Sequence, residues 1–169
     1  MKIKKEQLQV YAVTDTKSIR KERYATLYDA VEAAIRGGAT IVQLREKELS
    51  EDAFLAEATE IKKLTQRYGV PLIINDNVSL AKACQADGVH LGQGDMQVEA
   101  ARAILGDTAI IGVSAHNVEE ALLAEKQADF LYSFTLGYPS VTVSGSVKSG
   151  SAGGSCWQQK MKASSPLSS

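Results

Sequence analysis

Residues 40–50 read TIVQLREKELS. The stretch opens apolar and β-branched, from Thr40 to Val42, and closes on Ser50, a residue type that caps helix N-termini. A helical pattern runs from Ser50 to Tyr68, although Ala53 stands where a capping box would place Glu. A short buried strand leading into a long helix is one βα unit. Gln43, Arg45 and Lys47 lie at the junction on alternate positions. Alternate side chains of a strand point the same way, so an amide, a guanidinium and an ammonium are expected to converge on one patch.

The same unit recurs along the chain. Apolar runs predict strands at Gln9–Val13, Thr40–Leu44, Pro71–Asn75, Gly88–Leu91, Ala109–Val113 and Phe130–Tyr132. Helical patterns fall between them at Tyr24–Arg36, Ser50–Tyr68, Ser79–Ala86, Gln97–Leu105 and Val118–Gln127. Ser50, Ser79 and Asn117 suit N-caps, and Gly37, Gly38, Gly69, Gly88 and Gly106 sit near helix ends, where a left-handed cap is wanted. Strands alternating with helices of this length imply right-handed βαβ units and a parallel sheet. With no doubly wound signature, the choice is a (β/α) barrel or an open α/β sheet.

Length and charge then divide the chain. A complete (β/α)8 barrel takes at least about 200 residues, and this chain offers five and a half units before its character changes. All 20 acidic residues lie between Glu6 and Asp129. Residues 140–169 hold 10 Ser and 4 Gly and no acid, the composition of a flexible segment. The expected organisation is therefore a partial (β/α) barrel domain over 1–139 and a disordered Ser/Gly-rich tail over 140–169.

At 44% hydrophobic and 23% charged, with net charge −1, the chain reads as a globular domain. Near-neutral charge supplies no reason to expect nucleic acid or a membrane surface as partner. Cys84 and Cys156 are far apart and have neither metal nor redox spacing, so a cytoplasmic setting is expected. The basic start, MKIKKEQLQVYAV, has too short an apolar run for a signal peptide, and no stretch approaches the length of a membrane span.

Polar groups gather where the strands end. Strand 1 closes on Thr14 and Asp15, strand 2 on Gln43, Arg45 and Lys47, and strand 3 on Asn75, Asp76 and Asn77. Strand 4 is followed by Gln93 and Asp95, and strand 5 by Ser114, His116 and Asn117. In parallel sheets and barrels that edge binds ligands. Each group also has a plainer reading. Arg45 and Lys47 could pair with Glu46, Glu48 or Glu51, and the aspartates could favour helix N-termini. Ser114 and His116 could be turn and cap residues, and His90 could be a satisfied core histidine. Taken together, the cations suit phosphate oxygens and Asp76 with Asp95 suits a shared Mg2+, the donor set for a metal-bound diphosphate whose departure is assisted.

Five segments, YAVTD, GGATIVQLREK, PLIINDN, ADGVHLGQGDM and IIGVSAHN, occur in an order and at intervals that resemble the thiamine-phosphate synthase (thiamine-phosphate pyrophosphorylase) family. The resemblance implies a (β/α)8 barrel that joins an aminopyrimidine methyl diphosphate to a thiazole phosphate, releasing pyrophosphate and needing Mg2+. It implies substrate-binding roles for Gln43, Arg45, Lys47, Asn75 and Ser114. Asp76 and Asp95 match the metal ligands, and Lys47 and Ser114 the groups nearest the chemistry. The implied partners are the two small-molecule substrates, with a homo-oligomer left open. A related thiazole tautomerase branch shares LREK and VHLGQ and uses a histidine at the position of His116; Gln43, Asp76 and Asp95 favour the synthase branch.

After ADFL, residues 128–131, the resemblance stops. The family's Pro-Thr-x-Thr-Lys loop has no counterpart in YSFTLGYPSVTVSGSVKSGS. A reading-frame shift or premature end is expected, leaving strands 1 and 6 as open edges and this copy impaired as a synthase. The competing expectations are a tautomerase or regulatory paralogue, and a non-catalytic phosphate-binding α/β protein.

Overall fold

The computed structural model describes residues 5–15 and 24–133; the expected tail at 140–169 and the domain boundary at 139 lie outside them. Every expected strand and helix is present. In order they are β1 (Tyr11–Val13), α1 (Leu27–Arg36), β2 (Ile41–Leu44), α2 (Glu51–Tyr68), β3 (Leu72–Asn75), α3 (Val78–Ala83), β4 (Gly88–Leu91), α4 (Val98–Leu105), β5 (Ile110–Ala115), α5 (Val118–Gln127) and β6 (Phe130–Ser133). The six strands form one parallel sheet in the order β1-β2-β3-β4-β5-β6. A sheet wound in one direction, each strand beside its successor, is the wall of a (β/α) barrel and not a doubly wound sheet, whose order reverses at its centre.

Alternation along the strands separates two faces. Val42, Leu44, Leu72, Ile74, Val89, Leu91, Ile111 and Val113 point outward into one core with Val31, Phe54, Ile61, Leu64, Leu80, Ala101 and Ala124, so all five helices cover the same face. Ile41, Ile73 and Ile110 point the other way, forming a second cluster with Leu8 and Tyr11. Above this apolar layer, two residues further along the strands, stand Gln43, Asn75, Gly112 and, on β4, His90. The inner face therefore changes from apolar to polar towards the carboxyl ends of the strands.

Helix ends follow their caps, with some departures from the sequence expectation. Thr26 and Asp29 form a full capping box, so α1 starts at Leu27 and not at Tyr24. Asn77, not Ser79, caps α3, its side chain accepting from the Leu80 amide. Ser50 and Asn117 cap α2 and α5 as expected. Gly69 is a left-handed C-cap with φ of 67°. Gly88 caps nothing: it is the first residue of β4, where a Cβ would fall 1.9 Å from the Ile110 carbonyl oxygen.

Two strand starts share a device. Asp87, preceding β4, accepts the Leu72 amide and the Lys62 ammonium on Oδ2, both at 2.7 Å. Asp129, preceding β6, accepts the Ile111 amide at 2.9 Å and the Arg102 guanidinium at 2.6 Å on Oδ2. Both sit in the tripeptide Gln-Ala-Asp, at 85–87 and 127–129. Each carboxylate thus ties a strand start to its neighbour strand and to the helix before that neighbour's loop or beside it. Each ion pair is partly buried, which makes it worth more than an exposed pair.

Two consequences are measurable by chemical denaturation. Asp87→Ala and Asp129→Ala are each expected to lower unfolding free energy by about 1.5–3 kcal/mol, the cost of stranding hydrogen bonds to a charged acceptor. Gly88→Ala is expected to cost about 1–3 kcal/mol through overpacking against β5. A loss below about 0.5 kcal/mol in either case would contradict these contacts.

Candidate active site

Strand β2 ends at Leu44, so strand alternation alone does not carry Arg45 and Lys47 to the position of Gln43. The convergence expected from the spacing arises differently. Gln43 is buried on the inner face, and its Nε2 donates to the Tyr11 hydroxyl at 2.8 Å, which orients the amide. Arg45 is clipped to the end of β1: its amide donates to Thr14 Oγ1 at 2.9 Å, while the same hydroxyl reaches the Arg45 carbonyl at 3.4 Å. Glu46 Oε1 then accepts the amides of Lys47 and Glu48, turning the loop back on itself. Behind it, the Glu57 carboxyl on α2 has its pKa raised, first by burial and then by the charge of Glu46.

The loop delivers Lys47 to the aspartates. Asp76, directly after β3, has φ of 63°, a left-handed conformation uncommon outside glycine but tolerated by Asp and Asn. Its amide donates to the His90 carbonyl at 2.8 Å. Partial desolvation raises the Asp76 pKa to about 6, followed by the hydrogen bond to Asp95 and then that residue's charge; Lys47 and a hydrogen bond to Asn75 act in the opposite direction. Asp95 is held in turn, its Oδ2 accepting the Gly92 amide at 2.7 Å. Two neighbouring carboxylates, one of them disfavoured in its ionised form by burial and by the other, are suited to a hard divalent ion. Among the described residues no group of three or more His, Cys, Asp or Glu side chains could hold a metal. The pair therefore suits an ion that completes its shell with water and ligand oxygens.

Ser114 closes the arrangement from β5. Its hydroxyl lies 2.9 Å from His90 Nε2, and its carbonyl accepts from Gln93 Nε2 at 2.6 Å. His90 is buried on β4, with its ring 6.3 Å from the Tyr11 ring. Burial pushes its pKa down to about 4, against the smaller opposing effect of Asp95. His116 takes no part in this group. It is exposed beyond β5, its Nδ1 3.1 Å from Glu120 Oε2 and its amide donating to the same oxygen, which makes it part of the start of α5.

The sequence-derived residues thus stand in four places: Gln43 with Tyr11, Arg45 held by its backbone to Thr14, the set Lys47, Asn75, Asp76 and Asp95, and Ser114 with His90. Tyr11, Thr14 and Gln93 were given no role by sequence, and each orients one of the candidates. Their signal was available only as polar residues at strand ends or, for Tyr11, as a hydroxyl on an inward position.

A family model described as thiamine monophosphate synthase matches residues 10–166. The thiamine-phosphate synthase of Clostridium acetobutylicum is 55% identical over 117 residues, covering 69% of this chain and 54% of that protein. The thiamine-phosphate synthase of Chloroflexus aurantiacus is 50% identical over 123 residues, covering 72% and 55%. A solved structure, a thiamine phosphate pyrophosphorylase from Pyrococcus furiosus, superposes with a TM-score of 0.69 at 34% identity, covering 82% of this chain and 65% of that one. The chain spans about half the length of the curated relatives it matches.

The aspartate pair carries a stability signature. Because the folded-state pKa of Asp76 lies above the ordinary carboxylate value, its ionised form opposes folding above about pH 6, and the penalty fades as pH falls towards the unfolded value of about 4. Asp76→Asn keeps a residue suited to the left-handed backbone and removes the charge. Its melting temperature is expected to exceed that of the unsubstituted protein by a few degrees at pH 7.5, with no difference at pH 4. Equal melting temperatures at both pH values would show that neither burial nor Asp95 penalises the ionised Asp76.

Proposed function

Because the chain belongs to the thiamine monophosphate synthase family, we propose that its strand-end site binds an aminopyrimidine methyl diphosphate with Mg2+ and serves its transfer to a thiazole phosphate. The observation that carries this reading is the hydrogen-bonded Asp76–Asp95 pair with Lys47 beside it. In this reading Asp76 and Asp95 hold Mg2+ through carboxylate oxygens. When bound, the ion would supply positive charge against the negative charge that develops on the leaving group.

The protein's own groups do the rest. Arg45 and Lys47 contact the diphosphate, and Lys47 neutralises the charge arriving on it as the methylene carbon–oxygen bond breaks. The bonding pair leaves with pyrophosphate, and the cationic methylene is stabilised by the ring's amino group. The lone pair of the thiazole nitrogen then forms the new carbon–nitrogen bond, leaving a thiazolium. Gln43, with its amide turned by Tyr11, and Asn75 position the pyrimidine so that this carbon faces the incoming nitrogen. Ser114 donates to the departing pyrophosphate.

A tautomerase reading would need His116 as acid and base; that ring is exposed beyond β5, 3.1 Å from Glu120 Oε2, and stands apart from the Asp76–Asp95 pair on which the synthase reading rests. A cytoplasmic location belongs to the same proposal, resting on the unpaired spacing of Cys84 and Cys156. No helix among the described residues is long and apolar enough to cross a membrane.

Calorimetric titration of the aminopyrimidine methyl diphosphate into the full chain tests the proposal. Binding is expected to require Mg2+, and Asp95→Asn or Lys47→Ala to weaken it by more than about tenfold. The apparent Mg2+ affinity is expected to fall as pH drops below about 6, because the ion must then displace the Asp76 proton. Binding that is indifferent to Mg2+ and to both substitutions would remove the basis for the assignment.

A further inference from the structure

His90 stands in the same inner layer as Gln43 and Asn75, and its Nε2 lies 2.9 Å from the Ser114 hydroxyl. Ser114 falls on the inward parity of β5 with Ile110 and Gly112 and is half-buried, so it is partly open on that face. A hydroxyl has one proton to give. If the proton is spent on an unprotonated Nε2, Ser114 shows an anion only lone pairs. If Nε2 carries the hydrogen and donates to Oγ, the serine proton is released towards the ligand.

We propose that His90 is a positioning residue: its imidazole, in the Nε2–H tautomer, donates to Ser114 and so directs the serine hydroxyl as a donor to an anionic diphosphate. The proposal rests on the diphosphate reading of the site and adds to it the direction of one hydrogen bond. The rest of the structure agrees with a fixed ring. His90 is paired in register with Asn75 on one side and Gly112 on the other. Its face is turned towards Tyr11, at an interplanar angle of 50°. Ser114 is fixed from the other side, because Gln93 holds its carbonyl. With backbone and ring both pinned, the remaining freedom is the position of one hydrogen.

Nitrogen-15 NMR of histidine-labelled protein at pH 7.5 tests the tautomer with or without any ligand. A protonated-type shift at Nε2 and a pyridine-type shift at Nδ1 are expected; the reverse assignment overturns the proposal. Binding supplies the second readout, with inorganic pyrophosphate and Mg2+ as the probe. Ser114→Ala and His90→Leu are each expected to weaken binding by about tenfold, the value of one hydrogen bond to a charged group, and the double variant to lose no more than either alone. His90→Gln, whose amide can donate from near the Nε2 position, is expected to recover most of the loss. If His90→Gln binds as weakly as His90→Leu, or if His90→Leu binds like the unsubstituted protein, His90 does not act through Ser114. Failure of the unsubstituted protein to bind either pyrophosphate or the pyrimidine diphosphate would instead count against the site assignment, with the nitrogen shifts still deciding the direction of the bond.

Discussion

The backbone and ring of His90 hold the site together from the middle of the sheet. Its carbonyl receives the Asp76 amide at 2.8 Å, which stops β3 beside β4 and turns Asp76 into its left-handed conformation. That turn is what presents the Asp76 carboxyl to Asp95, across the short loop after β4. Its Nε2 meets Ser114 on β5, and its ring faces Tyr11, whose hydroxyl sets the Gln43 amide on β2. Candidate ligand-binding groups from four strands are therefore referred to one buried side chain and its backbone. A side chain with that many obligations cannot shift without moving several of the others, which is how a site built at loop ends acquires the rigidity of a core.

The layering of the inner face explains why the arrangement is possible in a fold otherwise held by aliphatic packing. Ile41, Ile73 and Ile110 fill the lower inner layer, so the polar layer above them rests on a dry floor. Helices cover only the outer face, where Val, Leu and Ile from every second strand position meet them. The two requirements fall on opposite parities of the same strands, and neither compromises the other. Gly88, paired with Ile110, lets β4 and β5 approach closely, where a Cβ would meet the Ile110 backbone.

The architecture was readable because its signals are local. Short apolar runs such as IVQL, LIIN, GVHL and IIGV, and caps such as Ser50 and Asn117, each act within a few residues. The strand-end position of the candidate residues followed from the same pattern. What escaped was whatever depends on contacts across the sheet. Asp87 and Asp129 look like solvated acids in sequence, and their partners lie 15 and 18 residues away by amide and further by side chain. Gly88 looked like a helix terminator because glycine after a helix usually is one; the close approach of Ile110 overrides that local preference. The spacing of Gln43, Arg45 and Lys47 suggested the right patch for a reason that holds only to Leu44. Beyond it, Thr14 and Glu46 shape the loop.

The same geometry sets a tension between fold and function. Asp76 combines a positive φ with a carboxyl pressed against another carboxyl, two unfavourable features at one residue. Neither helps the chain fold at neutral pH, where both groups would rather be ionised in water. Both are tolerated because the surrounding ladder over-determines the position: β3 is paired on both sides and its outward residues are fully buried. Burial and the neighbouring Asp95 both disfavour the ionised Asp76, so the conformation that opposes folding at neutral pH also leaves two carboxylates side by side, the donor type that a hard cation takes. The strain therefore lies at the candidate site, and the Asp87 and Asp129 clamps stabilise the opposite ends of the strands.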